Sequence, residues 1–157
     1  MKNKKYKIAM VAVISLTIIL LALAKPYRVS GDCMEPSIKD GHLYFLNRVS
    51  PFIRQYQIGD IIVFKHEEKM WISRIVALET NTIQIFESSV IVNGTALQDK
   101  EVQRNWSGWK YGVYGVDKPF LVPKNSVFVL SDNLSAQHDD SRVFGPISKD
   151  SIVGLIR

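Results

Sequence analysis

Hydrophobic residues are unevenly spread along this chain. From Ile8 to Ala24 an apolar run of 17 residues is interrupted only by Ser15 and Thr17. After it, apolar positions come in short stretches separated by turn residues, which is a strand pattern. His42–Val49 alternates. Gly59-Asp60 opens the continuous run Ile61-Ile62-Val63-Phe64, His66–Lys69 reads as a charged turn, and Met70–Leu78 reads as the partner strand of a hairpin. Thr82–Ile85 and Val90–Val92 form a second pair, followed by the turn signal Asn93-Gly94. Val127–Leu130 and Ile152–Ile156 are two late strands. Outside the first run no segment holds a helical period. The pattern predicts a mostly β, antiparallel domain behind one N-terminal helix.

Charge gives the apolar run a direction. Lys2, Lys4, Lys5 and Lys7 precede it and account for four of the five net positive charges, so the rest of the chain is near neutral. This is a topology signal and no footprint of nucleic acid. A spanning helix needs roughly 17–25 apolar residues, whereas the apolar core of a cleavable signal has roughly 7–15. Ala22-Leu23-Ala24 fits a small-x-small cleavage site, so a removed signal is the alternative. The length favours a retained anchor. Residues 1–7 then form a cytoplasmic basic tail, 8–24 the transmembrane anchor, and 26–157 an extracytoplasmic domain, in a single-pass protein of the cell membrane.

The 157 residues suffice for one domain with a core. Cys33 is the single cysteine and cannot form an internal disulfide. A lone thiol is either buried and inert or functional. Neither a CxxC nor a paired-histidine spacing is present, so no metal or cofactor is expected.

The surroundings of Cys33 decide between those readings. Val29-Ser30-Gly31-Asp32-Cys33-Met34-Glu35-Pro36-Ser37-Ile38-Lys39-Asp40-Gly41 resembles the nucleophile segment of type I signal peptidases, V-x-G-x-S-M-x-P-T-L-x-x-G. Four more segments match in order. They are Gly59–Phe64, Ile72-Ser73-Arg74-Ile75-Val76, Ile83–Gly94, and Ser131-Asp132-Asn133 with Asp140-Ser141-Arg142, Phe144-Gly145-Pro146 and Ile152-Val153-Gly154. The resemblance implies a signal-peptidase-type β domain. It also implies a cleft in which Gly31, Met34 and Pro36 meet substrate and the Cys33 backbone N–H serves as an oxyanion donor. Arg74 and Asp140 are expected to form an ion pair behind it.

Two catalytic positions depart from the family. Its serine nucleophile is Cys33 here, and its lysine base, which stands just before the arginine matching Arg74, is Ser73. A serine hydroxyl is a very weak base. Neither Lys65 nor Lys69 stands in register to replace the lysine. His138, two residues before Asp140, falls where the family usually has a serine. As a substitute base it would lower the thiol pKa, with Asp139 or Asp140 orienting its ring. As a plain loop residue it would be solvated.

The expectation is a signal-peptidase-like membrane protein that engages signal peptides or precursors of exported proteins. With Cys33 and Ser73 in place of the dyad, its ordinary activity is impaired or absent, and it acts as an assembly or chaperone factor. The first alternative is an active endopeptidase with Cys33 as nucleophile and His138 as base. A third reading, a membrane-anchored β module binding through Trp106–Tyr114, is the least supported by five matched segments. Nucleic acid is not an expected partner.

Overall fold

The computed structural model describes residues 2–86, 89–98, 112–133 and 138–156, with side chains described from residue 4, excepting 18–24. An N-terminal helix, α1 (Lys2–Leu23), runs straight into β1 (Ala24–Arg28). Its described apolar side chains, among them Ile8, Met10, Val13 and Leu16, are exposed. Among the described residues no helix is long and apolar enough to cross a membrane. The end of the apolar run, 18–24, falls where side chains are not described.

The strands that follow are β2 (Leu43–Asn47), β3 (Ile61–His66), β4 (Lys69–Leu78), β5 (Thr82–Phe86), β6 (Ser89–Val92) and β7 (Thr95–Ala96). After them come β8 (Phe120–Leu121), β9 (Ser126–Leu130), β10 (Ile147–Ser148) and β11 (Ile152–Ile156). Two four-residue helices, α2 (Ser50–Ile53) and α3 (Ser141–Phe144), lie between strands. The described strands form a seven-stranded sheet ordered β1-β2-β11-β3-β4-β9-β10 and a four-stranded sheet ordered β7-β6-β5-β8. Every ladder within them is antiparallel.

The continuous apolar run in β3 has a direct cause. Side chains alternate between faces along a strand, and this strand is covered on both. Ile62 and Phe64 join Ile75, Val129 and Leu155 on one face, while Val63 joins Met34, Leu46 and Ile72 on the other. A third cluster, including Val76, Ile83, Ile85, Val90 and Phe128, joins the two sheets. Asn93 and Gly94 both have positive φ (51° and 79°) at the β6–β7 turn, as a tight hairpin requires. In β11, a Cβ on Gly154 would stand 2.9 Å from the Asn47 carbonyl oxygen and from the Leu46 side chain, so only glycine lets β11 approach β2.

One register detail shapes the site. The first part of β4 pairs with β3, from Lys69 opposite His66 to Arg74 opposite Ile61, but β9 joins the other side of β4 only from Arg74 onward. Among the described residues, the first half of β4 therefore has one backbone edge outside any ladder. The segment carrying Cys33 lies against that edge.

Residues 106–111 of the expected Trp106–Tyr114 segment, with Trp106, Trp109 and Tyr111, lie outside the described residues. Its end is described: the Val113 and Tyr114 N–H groups donate to the Arg142 carbonyl at 2.8 and 3.1 Å, and Tyr114 packs on the inter-sheet core.

Candidate active site

The loop bearing Cys33 is closed at its base and pinned from within. The Val29 N–H donates to the His42 carbonyl, and the Gly41 N–H donates back to Val29. Asp40 accepts the Gly31 N–H at 2.8 Å, and Gly31 has φ +108°, which favours glycine. Inside, Met34 is fully buried and Ile38 nearly so, and together with Val29 they hold the loop to the sheet. Of the three residues expected to meet substrate, Gly31 lines the cleft beside Cys33. Met34 instead serves the core, and Pro36 lies on an exposed turn away from the cavity.

Cys33 and Ser73 come together at one acceptor. The Cys33 thiol reaches the Ile72 carbonyl at 3.8 Å, and the Ser73 hydroxyl donates to that same oxygen at 2.7 Å. Ser73 is 1% exposed. Burial, followed by the nearby negative charge of Asp32, pushes the thiol up to about 11. This is the opposite of an activated nucleophile, whose pKa is depressed.

His138 lines the same cavity as Cys33, but its Nε2 is bonded to Asp32 Oδ1 at 2.9 Å. That contact holds the Asp32 carboxyl below its ordinary value. Asp140 does not orient the imidazole. Its carboxylate is fully buried, takes Arg142 Nε and Nη2 at 2.8 and 2.6 Å, and caps α3 through the Arg142 N–H. It also accepts the Ser131 N–H.

The expected Arg74–Asp140 ion pair is replaced by two separate pairs. Arg74 takes Asp132 in a two-pronged contact at 2.8 and 2.6 Å, while Asp140 takes Arg142. Arg74 also donates to the Gly59 carbonyl and to Ser37 Oγ, tying the turn before β3 and the Cys33 loop to the Asp132 segment. The reason lies in position: Asp132 stands two residues past the end of β9, whose Leu130 pairs with Arg74, whereas Asp140 is committed to the helix it caps. Asn133 adds a further link, donating its N–H to the Cys33 carbonyl at 2.8 Å and its amide to the Asp32 carbonyl at 2.9 Å.

The cleft is a cavity of about 200 Å³. Three stretches wall it: Ser30, Gly31 and Cys33 with Tyr27, the open half of β4, and Ser131 with His138 and Asp139. Sequence reasoning missed Asp32, Asp132 and Asn133 as site residues, although all three stand inside matched motifs. It also set Lys69 aside as part of a turn, yet Lys69 begins β4 and lines the cleft. A larger cavity of about 770 Å³ lies between α2 and β11, lined by Arg48, Phe52, Lys65 and Ile152 among others, and includes none of these residues.

Comparison with known proteins agrees with this architecture. The family model described as signal peptidase, peptidase S26, matches residues 3–157. A signal peptidase I P from Bacillus subtilis subsp. natto is 28% identical over 154 residues, covering 95% of this chain and 83% of that protein. A thylakoidal processing peptidase 1 from Arabidopsis thaliana is 30% identical over 146 residues, 85% of this chain and 41% of that longer protein. The crystal structure of a signal peptidase I from Enterococcus faecalis superposes with a TM-score of 0.55 at 26% identity, covering 66% of this chain and 98% of that one. With its mostly antiparallel β domain and its five matched segments, the chain belongs to the signal peptidase family, peptidase S26.

Proposed function

We propose that this signal peptidase I homologue binds signal peptides or precursors of exported proteins at the outer face of a membrane without ordinary serine–lysine cleavage. It would then act as an assembly or chaperone factor. The observation that carries this reading is the Ile72 carbonyl, which takes the Cys33 thiol and the Ser73 hydroxyl together. Where a base would accept the nucleophile's proton stands a hydroxyl that is itself a donor. A thiol at about 11 leaves roughly one molecule in ten thousand ionised at pH 7.

Binding needs less than chemistry does. The open edge of β4 offers backbone groups to which an extended peptide adds as a further strand, opposite the wall formed by Gly31 and Ser30. Localisation belongs to the same proposal. Ile8–Ala24 is long enough in sequence to span, and the four preceding lysines put residues 1–7 in the cytoplasm and the β domain outside. A mature protein beginning at Lys25, read from the intact mass of membrane-purified material, overturns the anchor.

The test uses the full chain in detergent micelles with a synthetic signal peptide ending in small-x-small. Saturable binding and an uncleaved peptide mass are expected. Cleavage that disappears in Cys33→Ala contradicts the reading. If it also disappears in His138→Ala, the second reading takes over, an endopeptidase with Cys33 as nucleophile and His138 as base. The shared cavity favours that alternative, and the engagement of His138 with Asp32 weighs against it.

A further inference from the structure

We propose that the cavity between α2 and β11 is a lipid site, which takes the head group of an anionic phospholipid while Phe52 and Ile53 sit among the neighbouring acyl chains. The inference rests on the anchored reading above, which puts this end of the domain beside a bilayer, and adds a ligand to it.

Chain connection fixes where the cavity stands. α1 passes straight into β1, whose first residue, Ala24, is paired with Asn47 at the end of β2. Partners in an antiparallel ladder are about 5 Å apart. Arg48 and α2 follow Asn47 directly, so they begin one ladder rung from the point where the apolar run ends. The loop bearing Cys33 leaves from the opposite end of the β1–β2 ribbon. The cavity is therefore on the anchor side of the ribbon, and the peptide cleft is on the other.

The apolar residues beside it are held outward on a fixed support. Phe52 and Ile53 are 88% and 75% exposed, and Phe45, on the same face of β2 as Asn47, is exposed as well. Before them, Asn47 Oδ1 accepts the Val49 and Ser50 N–H groups at 3.0 and 2.9 Å and turns the chain out of β2. After them, Arg54 grips Asp60 at 2.9 and 2.7 Å. A single exposed apolar side chain needs no explanation. A cluster clamped on both sides cannot fold back onto the core, and next to an anchor it meets the bilayer.

The lining suits an amphiphile. Val49, Pro51, Phe52, Ile152 and Val153 give it an apolar wall, and Arg48 and Lys65 bring two cations. Its volume of about 770 Å³ falls within the roughly 300–1,000 Å³ of ligand pockets. The one acid on the wall, Asp150, is already engaged by the Asn125 amide at 2.8 Å and the Ser148 hydroxyl at 3.4 Å. Lys65 holds Glu68 at 2.8 Å, but both side chains are exposed, and such a pair gives way readily to a phosphate. Arginine matches phosphate geometry with two parallel hydrogen bonds. A free anion would leave the apolar wall unused, and a purely apolar ligand would leave the cations unused.

The experiment follows the Val49, Phe52 and Val153 amide resonances of the full-length protein in non-ionic maltoside micelles. The probes are dihexanoyl phosphatidylglycerol, its zwitterionic phosphatidylcholine counterpart and inorganic phosphate. Phosphatidylglycerol should move these resonances saturably, and Arg48→Gln and Lys65→Gln should each weaken its Kd about fivefold. Both residues are exposed, so neither change disturbs the core. Phe52→Ser should weaken it about tenfold, through the lost apolar contact. Phosphatidylcholine should bind wild type at least about fivefold more weakly than phosphatidylglycerol does, and phosphate should not saturate the site. No saturable response to phosphatidylglycerol, or a Kd unchanged in Arg48→Gln/Lys65→Gln, overturns the lipid site. Equal binding of phosphate overturns it in favour of a free-anion site. Shifts that grow with protein concentration without lipid overturn it in favour of contact between copies of this chain. Loss of the anchor is read separately, as a mature mass beginning at Lys25. That result removes the bilayer placement, and the titration, in which the lipid is supplied, still decides the cavity.

Discussion

The back and the front of the cleft use the same chain segment in opposite ways. At the back, Asp132 and Asp140 are buried, and each is gripped by one arginine with two hydrogen bonds. At the front, His138 meets Asp32 in a single contact at the surface, and Cys33 and Ser73 both donate to one carbonyl. The back holds strand β4, the Cys33 loop and α3 in place. The front carries Cys33, Ser73 and His138. The charges that frame the cleft and the groups at its front are thus separable, and only the first set is locked in two-pronged ion pairs.

The largest effects should therefore come from the back. Removing one partner of a buried ion pair leaves an uncompensated charge and costs about 3–5 kcal/mol. Arg142→Ala and Asp140→Ala should each lose that much in urea denaturation, since both side chains are fully buried. A loss below about 1 kcal/mol, the size typical of exposed pairs, would erase the contrast between back and front.

A middle-sized effect should appear with pH. The folded Cys33 pKa lies at about 11, above the roughly 8.5 of a free thiol, so the folded state keeps its proton longer than the unfolded chain does. Its contribution to stability is complete below pH 8.5 and is lost as pH rises through the folded value. Tyr27, also raised by burial, acts in the same direction. The difference between wild type and Cys33→Ala in thermal unfolding from pH 8 to 11 isolates the thiol. An unchanged difference across that range would mean that burial does not hold the proton on Cys33.

The smallest effect belongs to Ser73. Its hydroxyl bonds the carbonyl of the preceding residue, and Ser73→Ala should cost about 1 kcal/mol or less in the same urea assay. A larger loss would make Ser73 part of the frame.

Much of this fold was legible in the chain. β11 falls on Ile152–Ile156 as expected, and the β3–β4 hairpin and the Asn93-Gly94 turn stand within a residue or two of their sequence signals. The two-faced burial of β3 is visible as its unbroken apolar run. β1 was missed because Ala24-Lys25-Pro26-Tyr27-Arg28 has neither alternation nor an apolar run, and it is a strand through pairing with β2. The four-residue helices α2 and α3 are too short to show a period. At the site, the meeting of Cys33 with the Ser73 strand followed from the motifs. The choice between Asp132 and Asp140 for Arg74 did not, because a motif names acidic residues without saying which one the end of β9 delivers to the arginine.

Installing a serine and a lysine at the two positions tests the proposal of a frame without a base most directly. The assay is cleavage of a small-x-small signal peptide by the full-length double variant Cys33→Ser/Ser73→Lys, measured beside each single variant. The account predicts that the double variant gains cleavage while each single variant gains little, because nucleophile and base act as a unit. Cleavage by wild type at a rate matching the double variant, or a double variant that folds and binds peptide yet leaves it intact, would contradict it.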